Sequence, residues 1–194
     1  MSRSRAEMIE ATRTKLLATA RHAFQHTGYA ATSMDDLTAA AGLTRGALYH
    51  HFGDKKGLLA AVVEQIDDEM NERLNVVSAQ AAVPWDALRG RCRAYLHMAT
   101  EPDVRRIVLQ DARAVLGPAS EAAQQQCVAS LAGLLQGLMA AHIIEDADPH
   151  ALARLINGSL ADAAFWIADA PAGALRLEQA LHALDLLLRG LRRL

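Results

Sequence analysis

The chain has 194 residues, 52% of them hydrophobic and 4% aromatic, and the dominance of Ala and Leu favours a core built from packed helices over one built from sheets. Two cysteines without metal-ligand spacing exclude a disulfide scaffold, no apolar run approaches the ~20 residues of a membrane span, and the start of the chain lacks a signal-peptide core, so a cytoplasmic protein is expected. The net charge of −2 hides an uneven distribution: residues 1–60 carry eight basic and five acidic side chains, or +3, and the remainder carries −5.

The first helix is predicted from Arg5 to His26, with Leu16, Ala20, Ala23 and Phe24 in one sector. Gly28 stops it. Ser33, with Asp36 three residues on, reads as an N-cap with an acidic first turn. The short helix it opens buries Met34, Leu37, Ala40 and Ala41, and Gly42 closes it with a left-handed cap. Thr44 then caps a third helix over Arg45–Phe52. Gly53-Asp54 breaks that helix, and Asp54 caps a long fourth one reaching about Gln80, with Leu59, Val62, Val63, Ile66, Met70, Leu74 and Val77 as its stripe.

After a break at 81–84, helices are predicted at about 85–100, 103–116, 119–143, 149–169 and 174–193, punctuated by Pro102, Gly117-Pro118, Pro149 and Pro171. The expected fold is all-α. Residues 1–55 form an N-terminal three-helix unit and residues 56–194 a larger C-terminal helical region, with the fourth helix crossing the boundary.

Two short helices joined by a tight Gly turn are the minimal helix-turn-helix. At about 100° per residue, Leu48 and Phe52 point into the core, while Gly46, Ala47 and His50 face the other way. That outer face is small at its start, so backbone can press into a major groove. His50 offers hydrogen-bonding edges and the Ala47 methyl suits a thymine methyl. Tyr49 flanks the face, within reach of a phosphate oxygen. Arg45 can reach around the first turn to a guanine or to phosphate. Lys55 and Lys56 oppose the macrodipole of the helix they begin, and phosphate supplies a reason for placing them there.

The stretch Thr12–Val63 resembles the DNA-binding domain of the TetR family, above all in Gly28-Tyr29, Thr32-Ser33, Lys55 and the run Ala41-Gly42-Leu43-Thr44-Arg45-Gly46-Ala47-Leu48-Tyr49-His50-His51-Phe52. The resemblance implies that the third helix enters the major groove and that Thr32 or Ser33, Thr44, Tyr49 and Lys55 hold phosphates. It also implies a homodimeric regulator, usually a repressor, that binds an inverted-repeat operator in double-stranded DNA and answers to a small-molecule effector. One departure is Asp54-Lys55-Lys56-Gly57, where a second Lys and a Gly occupy the first turn of the fourth helix.

Further on, polar residues interrupt apolar stripes. Asp111 falls among Val104, Ile107, Val108, Ala112 and Val115, and Gln124 and His142 align with Cys127, Val128, Leu131, Leu135 and Leu138. Such groups could orient a ligand in a mostly apolar pocket, or make interhelical hydrogen bonds. Tyr95, Met98 and Trp166 are candidate walls of that pocket. The last helix is apolar over most of its circumference, with Leu184, Leu187 and Leu191 on its broad face, and the preceding one carries Gly158, Ala161 and Phe165 away from its inward stripe. Together they suggest an intermolecular four-helix bundle in a two-fold dimer.

No nucleophile elbow, phosphate loop or metal pair stands out, so no enzyme, cofactor or metal is expected. His22 and His26, four residues apart, project away from the apolar stripe and read as solvated. The alternative reading is a helical structural or protein-interaction module without sequence-specific DNA binding. The run Gly42–Phe52 argues against it.

Overall fold

Ser4 starts the first helix with a reciprocal cap: its Oγ accepts the Glu7 N–H, and the Glu7 carboxylate accepts the Ser4 N–H. In the computed structural model, which describes residues 4–171 and 173–193, helices follow in order. They are α1 (Arg5–His26), α2 (Met34–Ala41), α3 (Arg45–Phe52), α4 (Lys55–Ala79) and α5 (Pro84–Met98). A π-helix, π1 (Val104–Ala112), runs into a single turn α6 (Arg113–Val115), and α7 (Glu121–Ala140), α8 (Pro149–Ala168) and α9 (Ala174–Arg189) complete the chain. Among the described residues no strand forms; Ile144 and Arg192 make an isolated bridge. Arg3, one of the basic residues of the N-terminal segment, lies outside the described residues.

The chain divides into two units. One holds the residues up to Asp67 together with Pro102–Gly117; the other holds Asp68–Glu101 and the residues from Pro118 onward. This differs from a simple break near residue 55, because the 102–117 segment packs with α1. Phe24, Leu37, Leu48, Leu58 and Leu59 are all but inaccessible in the first unit, and burying each is worth about 1.5–3 kcal/mol. In the second unit, Leu88, Cys92 and Leu96 of α5 are buried, as are Leu131, Leu135 and Leu138 of α7. Leu160, Ala164 and Ile167 of α8 and Ala180, Leu184 and Leu188 of α9 complete that core. The three- and four-residue spacings within these sets are the helical register expected of a single inward face.

Two local departures move candidate residues. The 103–116 segment reads in sequence as an ordinary helix, but Val104–Ala112 winds as a π-helix. Its buried residues are Val104, Ile107, Leu109 and Ala112, pairs five apart, as i→i+5 winding requires. Leu109 therefore turns inward, whereas a 3.6-residue period puts Val108 there. The second departure ends α7. His142 takes a left-handed conformation (φ 55°), with Ile143 N–H donating to Leu138 C=O and His142 N–H to Met139 C=O. That is a Schellman termination, so His142 leaves the apolar stripe of α7 and stands exposed.

Candidate nucleic-acid interface

The α2–turn–α3 geometry rests on short-range chemistry. Ser33 Oγ accepts the Asp36 N–H at 3.0 Å and Thr44 Oγ1 the Ala47 N–H at 3.2 Å, each satisfying one orphan donor of its helix. Both caps are exposed, and each retains a hydroxyl hydrogen for a phosphate oxygen. Between them, Gly42 ends α2 at φ 60°, where a Cβ would be strained. Leu48 is fully buried and locks α3 onto the unit's core.

Opposite Leu48, Gly46, Tyr49 and His50 are exposed and Ala47 is partly so. Tyr49 is 50% exposed, and the His50 ring meets His51 edge-on at 5.5 Å between centroids. This is the outward face expected from the helical register. Thr32 differs from expectation. Its side chain is buried, and its Oγ1 donates to Gly28 C=O at 2.8 Å, which commits the hydroxyl to the turn and leaves Ser33 as the accessible one of the two. Arg45 is exposed and is held bidentately by Asp35 of α2. Sequence periodicity gives Asp35 no role, because its partner is not on its own helix.

Lys55 sits at the start of α4, where its Nζ lies 4.3 Å from the Tyr29 ring centroid and donates to Ala30 C=O at 3.4 Å. Burial first, and then the Asp54 carboxylate, raise the Tyr29 phenol above its ordinary pKa. Asp54 Oδ1 accepts the Gly57 N–H at 2.6 Å, capping α4 as expected. Gly57 has a steric reason as well: a Cβ there would lie 2.1 Å from the Phe52 carbonyl oxygen. The second lysine, Lys56, is exposed.

Three expected effector residues fall in separate places. Asp111 belongs to the first unit; its Oδ2 accepts the Tyr29 N–H at 2.8 Å and lies 3.5 Å from Arg106 Nε. Gln124 is exposed in the first turn of α7 and donates to Ala119 C=O. His142 lies beyond the other end of that helix, where its Nδ1 is 3.1 Å from Arg193 Nη1. At 1.5 Å per residue, α7 separates its two ends by about 30 Å, so Gln124 and His142 cannot line one small pocket.

A cavity of about 580 Å³ does lie within the second unit, among α5, α8 and α9. Leu96, Leu160, Trp166, Leu184 and Leu187 supply its apolar wall, with Ser159, Asp162 and Gln179 as polar groups. Of the expected effector residues only Trp166 lines it; Met98 is buried elsewhere in the core and Tyr95 is half-buried outside the lining. The residues expected at a dimer interface also separate. Gly158 is exposed, Ala161, Phe165 and Leu191 are half-buried, and Leu187 is 65% exposed. Leu184 is buried in its own subunit, because Ala180, Leu184 and Leu188 form the inward face of α9. Leu155, Leu175 and Leu186 are exposed and enlarge the apolar surface of α8 and α9.

Comparison with known proteins adds an independent line. Residues 16–62 match the family model for bacterial regulatory proteins of the tetR family, and residues 85–191 match that for a tetracyclin repressor-like C-terminal domain. A crystal structure of a TetR-family transcriptional regulator from Pectobacterium atrosepticum is 63% identical, covers 98% of both chains and superposes with a TM-score of 0.92. Among curated proteins, the TetC protein of transposon Tn10 from Escherichia coli is 30% identical over 115 residues, 57% of this chain and 56% of its own length. The transcriptional regulator AcrR of Shigella flexneri is 31% identical over 113 residues, 57% of this chain and 52% of its own. The chain thus spans about half the length of these two relatives.

Proposed function

Because the chain belongs to the TetR family of bacterial regulatory proteins, we propose that it represses transcription in the cytoplasm as a homodimer bound to an inverted-repeat operator and released by a small-molecule effector. The observation that carries the DNA-binding half is the outward face of α3. Gly46, Ala47, Tyr49 and His50 stand exposed there, between the accessible cap hydroxyls of Ser33 and Thr44. In this reading Gly46, Ala47 and His50 meet base edges, while Ser33, Thr44, Tyr49 and Lys55 hold phosphates. One reading head per subunit requires paired half-sites, hence a two-fold dimer. The exposed apolar residues of α8 and α9 support an interface there, built on Gly158, Ala161, Phe165 and Leu187.

The effector is assigned to the groove among α5, α8 and α9, which shares Leu187 with that interface and so lies at its edge. Its volume of about 580 Å³ falls in the range of small-molecule pockets, ~300–1,000 Å³, and its lining combines an apolar wall with a few polar groups. Release by an effector requires that it bind the free dimer more tightly than the DNA-bound one. Fluorescence anisotropy with operator DNA tests the whole reading. Purified protein should bind DNA from upstream of its own gene as two chains per duplex, and failure to discriminate that DNA from a scrambled duplex would refute it.

A further inference from the structure

Arg45 opens α3, and Asp35 lies in the first turn of α2. Their side chains meet across the helix-turn-helix: Arg45 Nε donates to Asp35 Oδ1, and Nη2 to Oδ2. The hydrogen bond from Arg45 holds the Asp35 carboxyl below its ordinary pKa. The two side chains are 62% and 60% exposed, and an ion pair so open to water contributes little to stability. Its consequence is geometric.

A guanidinium is planar and carries five N–H donors in a fixed fork. With Nε–H and one Nη2–H engaged by Asp35, its plane is set. Three donors remain, the two on Nη1 and the outer one on Nη2. These form the end-on fork that matches the O6 and N7 acceptors of guanine in the major groove. A phosphate contact needs no such fixed plane. Gly46 follows directly, and a Cβ there would meet nothing nearer than Thr44 Oγ1 at 3.9 Å, so the first turn of α3 stays low enough for close approach to the groove floor.

We propose that Asp35 is a positioning residue for base recognition: it fixes the Arg45 guanidinium so that its remaining fork reads one guanine in each operator half-site. This rests on α3 being the recognition helix. It adds that specificity at one base pair depends on a residue of α2 that carries the opposite charge to a DNA-binding group. Asp35 is tolerated beside phosphate because Arg45 neutralises it.

The test selects operators from random duplex DNA with the wild-type chain. It then measures affinity for the selected site and its single-base variants with wild type, Asp35→Ala, Asp35→Asn, Arg45→Ala and the Asp35→Ala/Arg45→Ala pair. Circular dichroism confirms that each variant is folded, and Asp35→Glu keeps the charge if Asp35→Ala unfolds α2. Wild type should prefer guanine at one position of each half-site by ~5- to 100-fold. Arg45→Ala should abolish that preference. Asp35→Ala and Asp35→Asn should weaken it at the same base pair only, leave the salt dependence unchanged, and add nothing once Arg45 is Ala. Intact preference in Asp35→Ala, or uniformly tighter binding to every sequence, overturns the proposal while leaving the recognition helix standing. A wild-type chain that selects no sequence overturns both.

Discussion

Asp111 stands 82 residues from Tyr29 in the chain, and its Oδ2 accepts the Tyr29 backbone N–H at 2.8 Å. Tyr29 in turn presents its ring to Lys55. A carboxylate of the 102–117 segment therefore holds the turn against which Lys55, a phosphate ligand in the proposed function, rests. Asp103 makes a second anchor, accepting from Arg21 Nε and Nη2 at 3.1 and 2.6 Å. The segment is joined at both ends to residues of the second unit.

Asp111→Ala should accordingly weaken operator binding, although Asp111 lies on neither face of α3. A partly buried hydrogen bond to a charged carboxylate is worth about 1.5–3 kcal/mol, so the Tyr29 amide should exchange with solvent roughly 10- to 150-fold faster. Hydrogen exchange and operator affinity measured on the same variant check this. Unchanged values for both would contradict this anchoring role.

Lys55→Ala should weaken binding evenly on all DNA sequences and reduce the log–log salt slope by about 0.9 for each phosphate no longer neutralised, or about 2 per dimer. His50→Ala should instead relax preference at one operator position by about 1–3 kcal/mol. Salt titrations on matched and mismatched duplexes separate the two effects. Equal, sequence-independent weakening by both would make His50 a backbone contact.

The Asp103–Arg21 pair carries a pH signature. Burial opposes ionisation of Asp103, but the hydrogen bonds from Arg21 and the Val104 N–H outweigh it and hold the carboxyl below its ordinary pKa. A depressed carboxylate contributes stability that is present above the unfolded value of about 3.9 and is lost as pH falls through the lower folded value. Urea midpoints should therefore drop below about pH 4 more steeply for wild type than for Asp103→Asn, and show no difference in slope between pH 6 and 8.

Much of the reading head is legible in the sequence because its signals are local. The caps Ser33 and Thr44, the breaker Gly42 and the 3.6-residue stripe of α1–α4 each act within one or two turns. What escapes depends on distant partners or unusual winding. Asp111 reads as either a pocket carboxylate or a hydrogen-bonded one, because its partner, Tyr29, is remote in sequence. The π-winding of Val104–Ala112 shifts Leu109 inward against a period that assumes i→i+4 bonding. His142 occupies the left-handed site at the end of α7 that Gly most often takes, so nothing in its identity marks the termination. The Asp35–Arg45 pair joins two helices, beyond the reach of any one-helix periodicity.

The cysteines should differ sharply in reactivity. Burial pushes the Cys92 thiol up to about 12, so almost no thiolate exists there near neutrality, whereas Cys127 is half-buried. At pH 8 a thiol reagent should label native Cys127→Ser negligibly and the same variant fully in denaturant. Rapid native labelling of Cys92 would mean that its core opens readily.

Two copies of this chain, in the proposed function, read a two-fold symmetric operator through α3. Selection from random duplex DNA, followed by sedimentation of the protein with the winning sequence, tests this most directly. The expected result is an inverted repeat bound by two chains, with a guanine in each half-site whose replacement costs about 1–3 kcal/mol. Enrichment of no sequence, or tight binding of a single chain to one half-site, would contradict it.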